Sequence, residues 1–542
     1  MTYIRLNNLF CAFFTLFLLS CGGGNKDQNK PPPNLDEDVV ISGKITFDKV
    51  PHRESNSSLN FLATEIMPAR GLTLQLLDSA NNIVRETKTD HDGNYAISAS
   101  ENTSLRIRVL AELLQDGTSN WNFSVTDNTD DYALYAMEGG LLNSGFENST
   151  RDLHAPSGWV DDEYREPRIA APFAILDVVY DALTLLESAD ENVSLSAAEF
   201  RWSVNNKPVR GSTRSGDIGT SYYDTSSGNI YLLGYADNDT DEYDSSVIAH
   251  EFAHLLEQQI SRNDNFGGDH SLDDALDPRL AFSEGWGNAF ASMALNDPFY
   301  RDSYGANQDL GFGFSVEVVR STNLGWYKED SVQNILFDIF DDASESGDSI
   351  AAGFAPIYQS FISAEFVNSP AFLGIHQFVE VLRGSLSGAE LSALNILLAN
   401  HNIFVEDEFA TDEPNNASNI DVLPLYVPLE LGSSVEVCSN NENGEWNKLA
   451  NRKFLLVDLP NTNSRTVNIS VGDRSGEQAD ASINVFYQGT LLEQLDLTTY
   501  NVDEGSFTPL FSGYHILEYF EEGNIDELPT TGARYCAEIG ID

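Results

Sequence analysis

The stretch SSVIAHEFAHLLEQQ, Ser245 to Gln259, places two histidines and a glutamate within five residues of a 542-residue chain that has only nine histidines. His250-Glu251-Phe252-Ala253-His254 is an HExxH pattern. In a helix, residues four apart share a face, so both imidazoles can reach one ion while Glu251 approaches water at that ion. Zn2+ is the expected cofactor, and the chemistry is hydrolysis, with the ion polarising a carbonyl and the carboxylate moving protons. Asp244 or Ser245 can cap the helix. Ile248, Phe252, Leu255 and Ile260 form its apolar side, and both histidines fall off that stripe.

A zinc held by two histidines needs a third protein ligand if one position is to stay open to water. In AFSEGWGNAFASMA, Glu284 begins a second helical pattern, and Gly285, Gly287 and Ala289 are small enough to bring that helix close to the first. Asn288, four residues on and on the same face, can hydrogen-bond the free ring nitrogen of a histidine. A third histidine six residues after His254 is ruled out, since Ile260 stands there. Asp269 and His270 in the GGDHS loop are rival ligands that lack a helix to hold them, and His270 is expected to be dispensable.

These residues resemble the gluzincin metallopeptidases, the superfamily of thermolysin-like proteases and one-zinc aminopeptidases, best over about residues 229 to 295. The resemblance implies His250, His254 and Glu284 as ligands, Glu251 as the catalytic carboxylate, and a peptide or protein as substrate. It also implies a His or Tyr from a later helix to hold the oxyanion. Tyr327 in GWYKEDSVQNILFDIF is the candidate, with His376 and His401 behind it. Ile230 to Leu233 is placed like the edge strand on which gluzincin substrates lie. The interval from His254 to Glu284 is 30 positions, long for this superfamily, and Asn288 stands where thermolysin-like enzymes carry an aspartate. Both departures point to a divergent member.

The elements that must position these side chains come from the central region, residues 150–410. There APFAILDVVYDALTLLES and the stretches from Ser245, Arg279, Ser331 and Ala389 have helical spacing. The expected fold is multidomain: a central α+β, mostly helical, zincin-like metallopeptidase domain flanked by two antiparallel β-sandwiches. The first sandwich, 39–140, alternates in LTLQLL and RIRVLA, and GLTLQLLDSANNIVRETKTDHDGNYAISA resembles the carboxypeptidase regulatory-like domain. The second, 425–542, resembles accessory domains that follow secreted bacterial peptidases. Cys438 and Cys536 lie in its first and last strands, and in an oxidising compartment they are expected to form a disulfide.

The first twenty residues carry Arg5 and an apolar run from Leu9 to Leu19, the shape of a secretory signal. With Cys21 and the polar stretch to residue 38, they resemble a bacterial lipoprotein signal, which implies lipid on Cys21, a flexible tether over 21–38, and membrane attachment through that lipid. Gly22 implies sorting to the outer membrane, at its periplasmic face or the cell surface. Asp and Glu number 84 against 30 Lys and Arg, a net charge of -54 that excludes nucleic acid as a partner. Asp237, Asp239 and Asp241 alternate like a calcium loop, but Ile248 at the twelfth position excludes an EF-hand, so a solvated loop is expected. The competing function is a catalytically inactive surface lipoprotein that binds protein or glycan through its β-sandwiches. The intact Glu251 argues against it.

Overall fold

Alternating burial builds the first sheet. In Asp38–Lys49, Val39, Ile41, Ile45 and Phe47 turn inward while the residues between them do not. The computed structural model describes residues 2–6, 38–320, 322–342, 349–471, 481–497, 502–525 and 534–542. Cys21, and with it the expected lipid attachment, lies outside the described residues. The chain divides into two compact units, one of residues 1–180, 194–248 and 301–312, the other of 181–193, 249–300 and 313–542.

In the first unit, Asp38–Lys49 pairs antiparallel with Asn94–Ser100 and parallel with Leu153–Ala155, within a five-stranded sheet. A ten-stranded sheet runs from Tyr222–Asp224 through Asn229–Leu232, Ala198–Trp202, Trp121–Asp127, Ala133–Glu138, Ser104–Gln115 and Leu72–Asp78 to Ile83–Lys88, with two short strands paired off this path. Ala198–Trp202 lies parallel to Trp121–Asp127 on one side and to Asn229–Leu232 on the other. Strands from the N-terminal and central regions therefore share one sheet.

This overturns the mostly helical, zincin-like central domain expected from sequence, and the purely antiparallel first sandwich. Strands make up 36% of the structure and helices 25%. The central strands are short, three residues in Tyr222–Asp224 and four in Asn229–Leu232. Runs of that length show no usable alternation, and their partners are set by distant pairing such as Phe200 with Phe123. Asn229–Leu232 has a neighbour on each side, so the expected substrate-binding edge is not free there.

Helix α1 (Ala171–Ala189) precedes the three that carry site residues, α2 (Ser245–Ile260), α3 (Pro278–Leu295) and α4 (Glu329–Phe340). Asp277 caps α3 by accepting from the Arg279 backbone N–H at 3.1 Å, Pro278 opens it, and Asn296 in the left-handed region closes it. From Pro278 to Met293 the helix is buried all round. Gly285 brings α4 onto α3, since a Cβ there would stand 2.5 Å from Val332 Cβ.

The second unit ends in two sheets. One orders Tyr426–Pro428, Arg452–Leu459, Gly513–Glu521, Ala481–Tyr487 and Thr490–Leu497. The other orders Ser433–Asn440, Arg534–Ile541, Arg465–Val471 and Val502–Phe507. Leu455, Val457, Ile483 and Leu517 of the first share a core with Val467, Ile469 and Ile539 of the second. Cys438 and Cys536 face each other across paired strands and are joined as a disulfide.

Candidate metal centre

Helix α2 presents His250 and His254 one turn apart, and α3 brings Glu284 to them. One donor atom from each lies within 4.8 Å of the others, and all three residues are buried. His250 Nε2 and His254 Nε2 are 3.1 Å apart. Glu284 Oε2 is 3.2 Å from the first and 3.5 Å from the second. Donors at about 2.1 Å from a tetrahedral ion stand roughly 3.4 Å from one another. The three atoms thus have the spacing of one face of a zinc tetrahedron, and the residues fit the ion.

The remaining ring nitrogens are engaged in a way that leaves each Nε2 lone pair for a ligand. His250 Nδ1 donates to Asn288 Oδ1 at 2.9 Å, and Asn288 Nδ2 donates onward to Glu329 Oε1 and Gln333 Oε1, both at 2.9 Å. Asn288 is where the helical spacing from Glu284 placed it. His254 Nδ1 lies 3.3 Å from Ser283 Oγ, whose hydroxyl donates to Glu257 Oε2 at 2.6 Å. Gly287 is required by the close approach of α3 to α2, because a Cβ there would meet the His250 ring at 2.7 Å.

The electrostatics favour positive charge at the centre. Burial alone would lower the pKa of His254, but Glu284 and Glu257 outweigh it and hold that pKa well above the ordinary histidine range. Burial would likewise raise Glu284, yet His270 and His254 hold its carboxyl well below the usual value. Glu251, one residue beyond His250 on α2, is only partly buried, and its negative charge also acts on His254.

His270 belongs to this centre. Its Nε2 lies 3.3 Å from Glu284 Oε2, and its Nδ1 lies 3.0 Å from Glu329 Oε2. Asn265, on the same loop, donates to Glu284 Oε1 at 3.3 Å. The loop is held from outside: Asn447 donates to the carbonyls of Gly267 and Asp269 at 3.2 Å, and Lys448 Nζ donates to the Asp269 carbonyl at 2.7 Å. These anchors replace the helix whose absence made His270 look expendable in the sequence. Glu257, Ser283, Asn265 and Glu329 carried no sequence signal beyond their types.

Tyr327 turns its hydroxyl to Asn415 Oδ1 at 3.3 Å. The two histidines considered behind it are also committed elsewhere, His376 to Glu413 at 3.1 Å and His401 to Asn334 at 2.7 Å.

Residues 190–367 match the family model described as the Mycolysin C-terminal domain. That segment includes His250, Glu251, His254, Glu284, Asn288 and Glu329. No curated protein is similar enough in sequence to count as a match. Among solved structures, the pre-peptidase C-terminal domain of a Bacillus anthracis collagenase overlaps 22% of this chain and 94% of its own, at 10% identity and a TM-score of 0.16. PliG of Salmonella Typhimurium, a periplasmic lysozyme inhibitor of g-type lysozyme, overlaps 22% and 98%, at 16% identity and a TM-score of 0.16. Likenesses this slight carry no argument about fold or activity. The family match relates residues 190–367 to peptidases.

Proposed function

We propose that this chain is a zinc-dependent metallopeptidase in which His250, His254 and Glu284 hold the ion and Glu251 is the general base. The observation that carries the reading is the mutual spacing of the two Nε2 atoms and Glu284 Oε2, from 3.1 to 3.5 Å. The relation of residues 190–367 to peptidases supports the peptide bond as the bond cleaved. Zinc, when bound, would supply the Lewis acidity that acidifies water and polarises a peptide carbonyl.

The protein's own groups do the rest. Asn288 and Ser283 fix the ring orientations of His250 and His254. Glu251 accepts a proton from the attacking water and returns it to the leaving amine. His270, held by Glu329 through Nδ1, meets Glu284 through Nε2 and steadies that carboxylate beside the two histidines. The signal-like first twenty residues and Cys21 support a site of action at the bacterial outer membrane, reached through a lipid anchor.

The deciding experiment measures zinc content and cleavage of a peptide library together, on the full chain. One zinc per chain with cleavage, both lost in Glu284→Ala, is the expected result. Zinc retained without any cleavage would transfer the function to the binding lipoprotein, and no zinc uptake would remove the reading altogether.

A further inference from the structure

A second group of acids lies in the first unit. Asp239 and Thr240 form a short strand paired with Gly234–Tyr235, Asp241 opens the tight turn Asp241–Tyr243, Asp244 precedes α2, and Asp302 sits on the strand Phe299–Tyr304. One carboxylate oxygen from each of Asp239, Asp241, Asp244 and Asp302 lies within 4.8 Å of the others. This is no solvated loop: Asp241 is only 3% exposed and Asp244 fully buried.

Asp244 has its donors. His52 Nε2 is 2.8 Å from its Oδ1, Ser303 Oγ reaches the same atom at 3.0 Å, and the Ser303 backbone N–H reaches Oδ2 at 2.9 Å. Asp241 does not have a full set. Its Oδ2 takes the Ser221 hydroxyl, but Oδ1 is buried with no hydrogen-bond partner, and Asp239 Oδ1 is in the same condition. A buried acceptor without a donor costs about 1–3 kcal/mol, and more when charged. Four carboxylates this close also repel strongly away from water. Either protons on these carboxyls, whose pKa values burial and mutual repulsion raise, or a cation answers both.

We propose that Asp239, Asp241, Asp244 and Asp302 bind a calcium ion. The donors are all oxygen, with no thiolate and no imidazole among the four, which selects a hard cation over zinc. The Oδ1 atoms of Asp241 and Asp239, which have no hydrogen-bond partner, are the oxygens best placed to take the ion. Three of the four ligands come from six consecutive residues, so the ion pins the turn that leads into α2. The assignment does not depend on the peptidase reading, and a chain that takes up no zinc should still take up calcium.

The test is calorimetric titration of Ca2+ into the full chain after chelator treatment, with zinc present throughout so that the histidine centre is silent. One Ca2+ per chain, bound tighter than about 1 mM, and a calcium-dependent rise in Tm are expected. Asp241→Asn keeps the shape and a partner for Ser221, and should weaken binding at least tenfold; Asp302→Asn should do likewise. If the unaltered chain shows neither binding heat nor a Tm shift at 10 mM Ca2+, which is about tenfold above the weakest expected constant, the site does not exist. Wild-type affinity in both variants would equally overturn it. Should either variant fail to fold, the titration of the unaltered chain decides.

Discussion

His270 and Glu329 stand 59 positions apart in sequence, yet their Nδ1 and Oε2 atoms lie 3.0 Å apart beside Glu284. Its other nitrogen, Nε2, lies 3.3 Å from Glu284 Oε2, so His270 ties one candidate zinc ligand to Glu329. His270→Ala is therefore expected to weaken zinc about 10–100-fold, the usual cost of losing a group that holds a metal ligand. Competition with a chelator, with cleavage measured on the same sample, checks it. Unchanged zinc affinity would return His270 to a bystander.

Glu251→Gln separates proton handling from metal binding. The variant should retain zinc at the level of the unaltered chain and lose turnover by several orders of magnitude, because the amide cannot accept a proton. Retained turnover would place the base elsewhere.

Asn288→Ala removes the acceptor of the His250 Nδ1–H bond and leaves α3 intact. Zinc affinity measured by competition with a chelator should fall about 10–100-fold. Gly287→Ala should also weaken zinc, since its Cβ would meet the His250 ring at 2.7 Å. If zinc affinity is untouched in both, His250 is not a ligand.

His401 supplies a pH dependence away from the metal. Burial pushes its pKa down to about 4, with Nδ1 enclosed and lacking a hydrogen-bond partner. The unfolded chain protonates this side chain near its ordinary value of 6.5, whereas the folded chain resists until about 4. Its contribution is thus complete above pH about 6.5 and is lost as pH falls toward 4, by about 3 kcal/mol at most. Urea unfolding at several pH values, compared with His401→Gln, should show a shallower acid slope in the variant.

The disulfide closes a separation of 98 residues between Cys438 and Cys536. Replacing both by serine should lower the stability of the second unit by about 2–4 kcal/mol. Denaturant unfolding with and without reductant provides the comparison, and no difference would remove the bridge from the stabilising contacts.

The centre was more legible than the fold. His250 and His254 could be placed together because helical spacing is local: i and i+4 share a face whatever surrounds them. Glu284, 30 positions on, was offered by the resemblance and by the small residues of its helix and not by spacing. Asn288 followed from Glu284 by the same helical rule. His270 did not, because its position depends on Asn447 and Lys448, far along the chain, and nothing local encodes that hold. The sheet failed to show for a related reason. Ile230 to Leu233 was legible as a strand, but five-residue Ala198–Trp202 was not, and it is this strand, beside Trp121–Asp127 on one side and Asn229–Leu232 on the other, that joins the two regions in one sheet. Helical periodicity in α1 to α4 was loud by comparison, and it led to a central domain with too much helix.

Asn447 and Lys448 belong by sequence to the C-terminal sandwich, yet they grip the carbonyls just before His270. Arg279, in the first turn of α3, is likewise tied to Glu518 of that sandwich at 2.6 Å. Recombination at the linker near residue 420 could not trade this sandwich for another without also rebuilding a wall of the centre. A change in either part therefore reaches the other through these contacts.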